Sequence, residues 1–253
     1  MQAKASLEDT LTLMRDLRVR CAWDAAQTHQ SLRPYLLEEA HEVDDALRIG
    51  DDTLLRDELG DLLLQVVFHS VVAEERGAFD LHDVTGALVA KMKQRHPHLY
   101  GDGVAVPWER QKAKTRDSLA DGLPVDLPAL HRAHRLQDRA AGVGFDWDDV
   151  AGPLSKVREE IDEVAHELSA AASGATGAHD ALEAELGDLL FAVVNLCRKA
   201  TVHASIALDR ANLKFVRRFS AIEKLAVERG LHVGTATLAE LDVLWDEVKR
   251  AGG

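Results

Sequence analysis

Carboxylates at helical spacing are the chemistry this sequence offers, and it offers them twice. "EEAHE" sets Glu38, Glu39 and Glu42 on successive turns, and "DELGD" follows with Glu58 and Asp61. "EEIDE" sets Glu159, Glu160 and Glu163 in the same pattern, and "AELGD" follows with Glu185 and Asp188. Side chains three apart on an α-helix are neighbours, about 5–6 Å apart at Cβ. Each half therefore carries two carboxylate pairs on successive helices, and a short connection between them favours antiparallel packing. Like charges ~6 Å apart repel by roughly 3 kcal/mol per pair at an effective dielectric of 20. A divalent cation relieves that repulsion. Oxygen-only donors with room for water and phosphate select a hard ion, Mg²⁺ or Mn²⁺. Such an ion polarises a phosphoryl oxygen and activates water.

A single Glu-x-x-Glu is more often a solvated face than a site. The duplication argues otherwise, because a solvated face has no reason to repeat its spacing. The Glu39 set recurs at an offset of 121 residues and the Glu58 set at 127. Lys91 and Arg95 recur as Lys214 and Arg218, and Trp108 and Lys112 as Trp245 and Lys249. The basic pairs are spaced to clamp phosphates, the arginines bidentately. Taken alone they would be surface ion-pair residues, and either tryptophan alone would be core rather than a platform for a base. Gly60 and Gly187 each cost about 1 kcal/mol against Ala in a helix, which reads as a point of close helix approach in each copy.

The elements that must hold these residues are helices. Leu7, Leu11, Met14 and Leu17 mark a first amphipathic helix behind a Ser6–Asp9 capping pattern. Pro34 suits the start of a second, which Gly50 stops. A third runs from near Thr53 to about Arg76, and a fourth from Leu81 to Arg95, ahead of Pro97. A short helix around Trp108 to Arg116 precedes "DGLPVDLP", a linker by composition. Helices then follow near Leu130–Ala140 and Pro153–Ser169. Beyond the flexible "AAASGATGAHD" come Ala181–Lys199, Ser205–Arg229 and Leu238–Arg250. Little alternates with a strand's period. The expected architecture is all-α, with two tandem homologous helical-bundle domains over residues 1–122 and 123–253.

Bulk properties narrow the function. A formal charge of −13 over 253 residues argues against a polynucleotide partner, which is bound through a Lys/Arg excess. Two cysteines, Cys21 and Cys197, make no disulfide framework and suit a reducing compartment. The longest apolar run, Leu62 to Ala73, is broken by Gln65 and His69 and falls short of the ~20 residues of a membrane span. Lys4, Glu8 and Asp9 leave no apolar core for a signal peptide. The expectation is a cytoplasmic protein without a membrane partner.

The two copies of E-E-x-x-E followed by E-x-x-D, together with "CAWDAAQTHQSLRPYLLEEAHEV", "GFDW", "ELGDLLF" and "KFVRRF", resemble the tandem-domain bacterial MazG proteins over nearly the whole chain. The resemblance implies an all-α nucleoside triphosphate pyrophosphohydrolase, dependent on Mg²⁺ and homodimeric. It implies cleavage of NTPs or dNTPs between the α and β phosphates. It also implies that the C-terminal copy is the main catalyst, with Glu160, Glu163, Glu185 and Asp188 as metal carboxylates. Lys156, Lys214 and Arg218 would meet the triphosphate, and Trp245 and Lys249 the nucleotide; Glu159 or Glu160 would orient the attacking water. The N-terminal counterparts are Glu39, Glu42, Glu58 and Asp61, with Lys91, Arg95, Trp108 and Lys112. One position departs: Lys156 stands four before Glu160, but Tyr35 stands four before Glu39. The N-terminal copy is therefore expected to be the weaker.

Two other classes fit parts of the pattern. A di-iron carboxylate bundle is suggested by Glu38-x-x-His41 and Glu163-x-x-His166, but it needs two such helices and a lone Glu on each of two others. Here the histidines fall at different places in the two repeats. A non-catalytic helical scaffold or nucleotide sensor would keep the carboxylates without turnover.

Overall fold

The computed structural model describes residues 4–104, 109–110, 116–173 and 176–252, and among them every regular element is an α-helix. The chain forms two compact units, Met1–Ala105 and Val106–Gly253; the division falls ahead of the "DGLPVDLP" stretch.

In the first unit α1 spans Leu7–Arg20, α2 Ala22–Ala26, α3 His29–Ile49, α4 Asp52–Glu74, α5 Leu81–Arg95 and α6 Pro97–Tyr100. Ser6 and Asp9 close the expected capping box on α1, and Gly50 ends α3 in the left-handed region at φ 78°. A β-carbon makes that conformation costly, so glycine belongs there. Pro34, however, does not start its helix. Thr28 and Ser31 make a reciprocal cap one turn earlier, and Pro34 lies inside α3. The helix starts where two of its orphan N–H groups find acceptors.

The core of this unit is Leu11, Met14, Leu32, Val67, Phe68, Val71, Val72 and Leu81. It gathers at the C-terminal half of α4, leaving the Glu58–Asp61 end of that helix against α3. Arg18 ties the periphery together. Its guanidinium donates to the carbonyls of Asp24 and Gln27 and to the Glu75 carboxylate, and it lies 5.8 Å from the Phe68 ring centre.

The second unit holds α7 (Ala129–Gly142), α8 (Ala151–Ala172), α9 (Ala178–Lys199), α10 (Ala204–Glu228) and α11 (Leu238–Arg250). Helices α8 and α9 pack along each other as α3 and α4 do, so the duplicated sequence folds into a duplicated helix pair. A second core forms between α10 and α11 from Ile222, Ala226, Leu244 and Val248. The "GFDW" turn enters α8. Asp146 accepts from Arg198 and Lys199 near the end of α9, and Lys199 also donates to the Trp147 carbonyl. Burial alone would raise the Asp146 carboxyl, but the two cationic donors prevail and hold it below the usual range.

Three imidazoles sit together where α7 meets the start of α10. The ring centre of His203 is 5.0 Å from that of His131 and 4.5 Å from that of His134. Desolvation first, then the charges of His203 and Arg135, hold His131 below the ordinary histidine value. The same forces, with His131 added and Asp138 opposing, lower His134. In the first unit desolvation and His29 lower His69, whose Nδ1 is 2.8 Å from that of His29. A histidine depressed in the folded state stabilises fully above its unfolded pKa, near 6.5, and that contribution is lost as pH falls through the folded value. Thermal melts should therefore be flat above pH 7 and decline below 6.5. His131→Gln with His134→Gln should lessen the decline, and an unaltered slope would refute the assignment.

No single described helix is long and apolar enough to cross a membrane.

Candidate metal and phosphate site

Each helix pair brings its carboxylates together. In the second unit Glu160, Glu185 and Asp188 offer oxygens within 4.8 Å of one another; in the first, Glu39, Glu42 and Glu58 do the same. Helical spacing puts one set on α8 or α3 and the other on α9 or α4, and antiparallel packing makes them meet. The expected fourth members lie alongside. Glu163 is pushed up by desolvation and then by the neighbouring Glu160 and Glu185 carboxylates, with Lys156 opposing. Glu39 is pushed up by desolvation and then by Asp61, Glu42, Glu38 and Glu58, and Glu58 by desolvation and then chiefly by Glu42 and Asp61. Raised carboxylates in both units mark unrelieved negative charge.

Glu160 is the telling member. It is only 3% exposed, and its Oε2 is buried with no hydrogen-bond partner. Leaving a buried carboxylate oxygen unpaired is costly, more so than for a neutral group. Lys156 Nζ reaches the other oxygen at 2.6 Å and Glu159 Oε1 at 2.8 Å, and these bonds push the ammonium above the ordinary lysine range. An oxygen-only trio with one orphaned, buried donor fits a hard divalent cation. The converging ligand atoms are carboxylate oxygens with no histidine among them, which is not the di-iron set of two Glu-x-x-His helices.

An open cleft of about 580 Å³ runs beside this trio, lined by Ser155, Arg158, Glu159, Asp162, Glu163, His166, Glu167 and Glu185. Ser155, Arg158, Asp162 and Glu167 were not singled out in the sequence, and His166 only as part of a di-iron pattern. The signal was present, since Ser155, Glu159, Asp162 and His166 recur at one helical stripe of α8.

The remaining expected contacts form a separate group. Arg218 lies 5.8 Å from the Trp245 ring centre, with the Phe215 ring 5.6 Å away on the same tryptophan. Trp245 also packs on the α10–α11 core. Lys214 and Lys249 are exposed on these helices. None of the four lines the cleft. Lys91 and Arg95 lie on α5 in the first unit, while Trp108 and Lys112 fall outside the described residues. A Cβ at Gly60 or Gly187 would meet nothing within 4 Å. The close approach expected there does not occur within the described chain.

A family model for the "MazG nucleotide pyrophosphohydrolase domain" matches residues 27–100 and again 153–223, each match spanning one carboxylate helix pair. A protein of Escherichia coli K12 named "Nucleoside triphosphate pyrophosphohydrolase" is 43% identical over 96% of this chain and 97% of its own length. A Thermotoga maritima protein, "Nucleoside triphosphate pyrophosphohydrolase/pyrophosphatase MazG", is 39% identical over 98% of this chain and 97% of its own. "Uncharacterized protein YabN" of Bacillus subtilis is 41% identical over 94% of this chain and half of its own length. With the domain present twice and relatives aligned end to end, the chain belongs to the MazG nucleotide pyrophosphohydrolase family.

Proposed function

We propose that this protein is an enzyme that hydrolyses nucleoside triphosphates, NTPs or dNTPs, between the α and β phosphates to monophosphate and pyrophosphate, with Mg²⁺ or Mn²⁺. The carrying observation is the buried, orphaned oxygen of Glu160 inside a trio of carboxylates, in a chain of this family. A bound divalent cation would supply charge neutralisation at the phosphates and a water of lowered pKa. Glu160, Glu163, Glu185 and Asp188 would hold it.

The chain's own residues divide the other tasks. Glu159 lines the open cleft whereas Glu160 is buried, so Glu159 is the better placed to orient and deprotonate an attacking water. Lys214 and Arg218 would bind phosphate oxygens, with the guanidinium over the Trp245 ring. Lys249 would add a further cation. In the first unit Glu39, Glu42, Glu58 and Asp61 form the matching metal site, with Lys91, Arg95, Trp108 and Lys112 as its nucleotide contacts; Tyr35 leaves it a phosphate contact short. Acidity overall leaves no role for a polynucleotide, and a nucleotide substrate suits the cytoplasm.

Incubation with a panel of NTPs and dNTPs, with products identified, tests the reading. Monophosphate plus pyrophosphate supports it. Diphosphate plus phosphate would mean the wrong bond, and no turnover with any of them would leave the scaffold class.

Because the carboxylates repel one another, a divalent ion should stabilise as well as activate. Mg²⁺ or Mn²⁺ at 100 times its Kd adds about 2.7 kcal/mol to the folded state, so EDTA-stripped protein should melt several degrees higher when it is restored. No rise with any divalent ion at millimolar concentration would sink the metal site.

The reading includes a homodimer. Leu186, Leu190 and Val193 form an exposed apolar stripe on α9 beside Glu185, and Leu59, Leu63 and Val66 repeat it on α4 at the same offset of 127. Stripes spaced at i, i+4 and i+7 are helix-packing faces, and the open space at Gly60 and Gly187 lets a partner helix come close. Light scattering should give twice the chain mass. Leu63→Glu with Leu190→Glu should give the monomer, and a monomeric starting protein would refute the dimer.

A further inference from the structure

The two carboxylate trios differ in one respect beyond sequence: in the second, a lysine ammonium sits directly on one of the acids. Lys156 Nζ sits 2.6 Å from Glu160 Oε1 and 2.8 Å from Glu159 Oε1. Glu160 is the most buried of its trio and its second oxygen has no partner. The ammonium therefore neutralises the one carboxylate that solvent serves least. In the first unit Tyr35 occupies the matching turn and spends its ring on Trp23, edge-on with centres 6.2 Å apart. Tyr35 itself brings no charge to the acids there.

We propose that Lys156 is a resident counter-ion of Glu160 that an incoming divalent cation displaces, and that the displaced ammonium becomes a partner of the substrate's phosphates, so that metal and triphosphate load the second unit cooperatively. The second half of this proposal rests on the triphosphate reading; the first half does not. A monovalent and a divalent cation on one carboxylate repel strongly, and the divalent ion has two further carboxylates, Glu185 and Asp188, to hold it. The ammonium has only Glu159 to keep it. A lysine stem of four methylenes can swing from a helix surface without disturbing the backbone, and the Lys156 side chain is 38% exposed. Once detached, the ammonium lies beside a cleft where a triphosphate's negative charge replaces that of Glu160. Each ligand thus removes an obstacle to the other, which is a coupling free energy between two sites. The first unit, with Tyr35, has no such link.

The test is metal binding without nucleotide. Mn²⁺ is titrated into EDTA-stripped full-length protein, followed by calorimetry and by the electron paramagnetic resonance of free Mn²⁺. All samples carry Glu42→Gln and Glu58→Gln, so that the first unit contributes no binding. Lys156→Met should bind Mn²⁺ more tightly, by roughly fivefold to tenfold, because nothing competes for Glu160. The same variant should bind α,β-methylene ATP with Mn²⁺ more weakly by a similar factor, and the tightening of Mn²⁺ by the analogue should shrink. Lys156→Arg, which keeps a cation, should restore weak Mn²⁺ binding in the absence of nucleotide. A purely structural lysine would weaken both ligands together. Unchanged or weaker Mn²⁺ binding in Lys156→Met overturns the counter-ion exchange. Tighter Mn²⁺ binding with undiminished analogue binding confines Lys156 to the metal and overturns the cooperative loading. Failure of the triphosphate reading shows elsewhere, as absence of turnover in the unaltered protein.

Discussion

Asp188→Asn, with Glu163→Gln as its companion, should lower turnover about a hundredfold or more, the scale on which single groups that stabilise transition-state charge are felt. Both changes keep size and helix while removing one negative charge, so they probe ligation and not packing. Asp188 belongs to the trio within 4.8 Å, and Glu163 lines the cleft and touches Glu160. Both side chains are exposed, which makes a folding defect a poor explanation of any loss. The matched pair in the first unit, Asp61→Asn and Glu42→Gln, should cost far less, since Tyr35 leaves that site without a counterpart of Lys156. Steady-state pyrophosphate release, with circular dichroism as the fold control, decides. Full activity in Asp188→Asn would sink the assigned site, and equal losses from both pairs would sink the asymmetry while sparing the enzyme.

Gly152→Ala should destabilise the second unit by about 1–3 kcal/mol, the cost of overpacking. A Cβ there would lie 2.0 Å from Trp147 Cδ1 and 2.5 Å from Cγ, so the indole must move bodily. Its neighbours resist that. Asp146 is held by Arg198 and Lys199, and Lys199 also grips the Trp147 carbonyl. Since α8 begins at Ala151, a displaced turn would also shift Lys156 and Glu160 further along it. The melting temperature should fall by several degrees, with activity lost in step. An unshifted melt would show that the turn is softer than its bonds suggest.

How much of this was legible in the sequence differs by feature. The α4 and α5 spans and most of the second unit followed from apolar periodicity and caps, because those helices are long and the starts of α4 and α5 carry recognisable capping residues. The start of α3 was misplaced because Ser31, not Glu or Gln, closes its capping box, and a serine at that place is an unremarkable signal beside a proline. Helix α2 was missed because five residues with no buried member carry no periodicity. At the site, the i, i+3 spacing pointed to acids that do meet, Glu39, Glu42 and Glu58 in one unit and Glu160, Glu185 and Asp188 in the other. It could not show that Glu160 is the buried one, since burial comes from helix pairing. Nor could it show that Lys156 is bonded to two acids, or that Trp245 lies under Arg218. Those are facts of side-chain direction across different turns and helices. The Gly60 and Gly187 expectation failed because sequence shows a glycine's helical cost but not the space around it, which packing decides.

Arg18 has a consequence for how the first unit comes apart. One guanidinium joins the end of α1 to two carbonyls flanking the end of α2 and to the carboxylate just beyond α4, over the face of a core phenylalanine. Helix α2 buries no residue of its own and touches α3 through the half-exposed Trp23 on Tyr35, so the Arg18 side chain is a main tie holding it. Detaching α1, α2 or the end of α4 must break the same group of bonds, which makes these segments, distant in sequence, release as one cooperative block instead of peeling away in turn. A lysine in its place could not span the block, because a single ammonium cannot present the planar fork that reaches three partners at once.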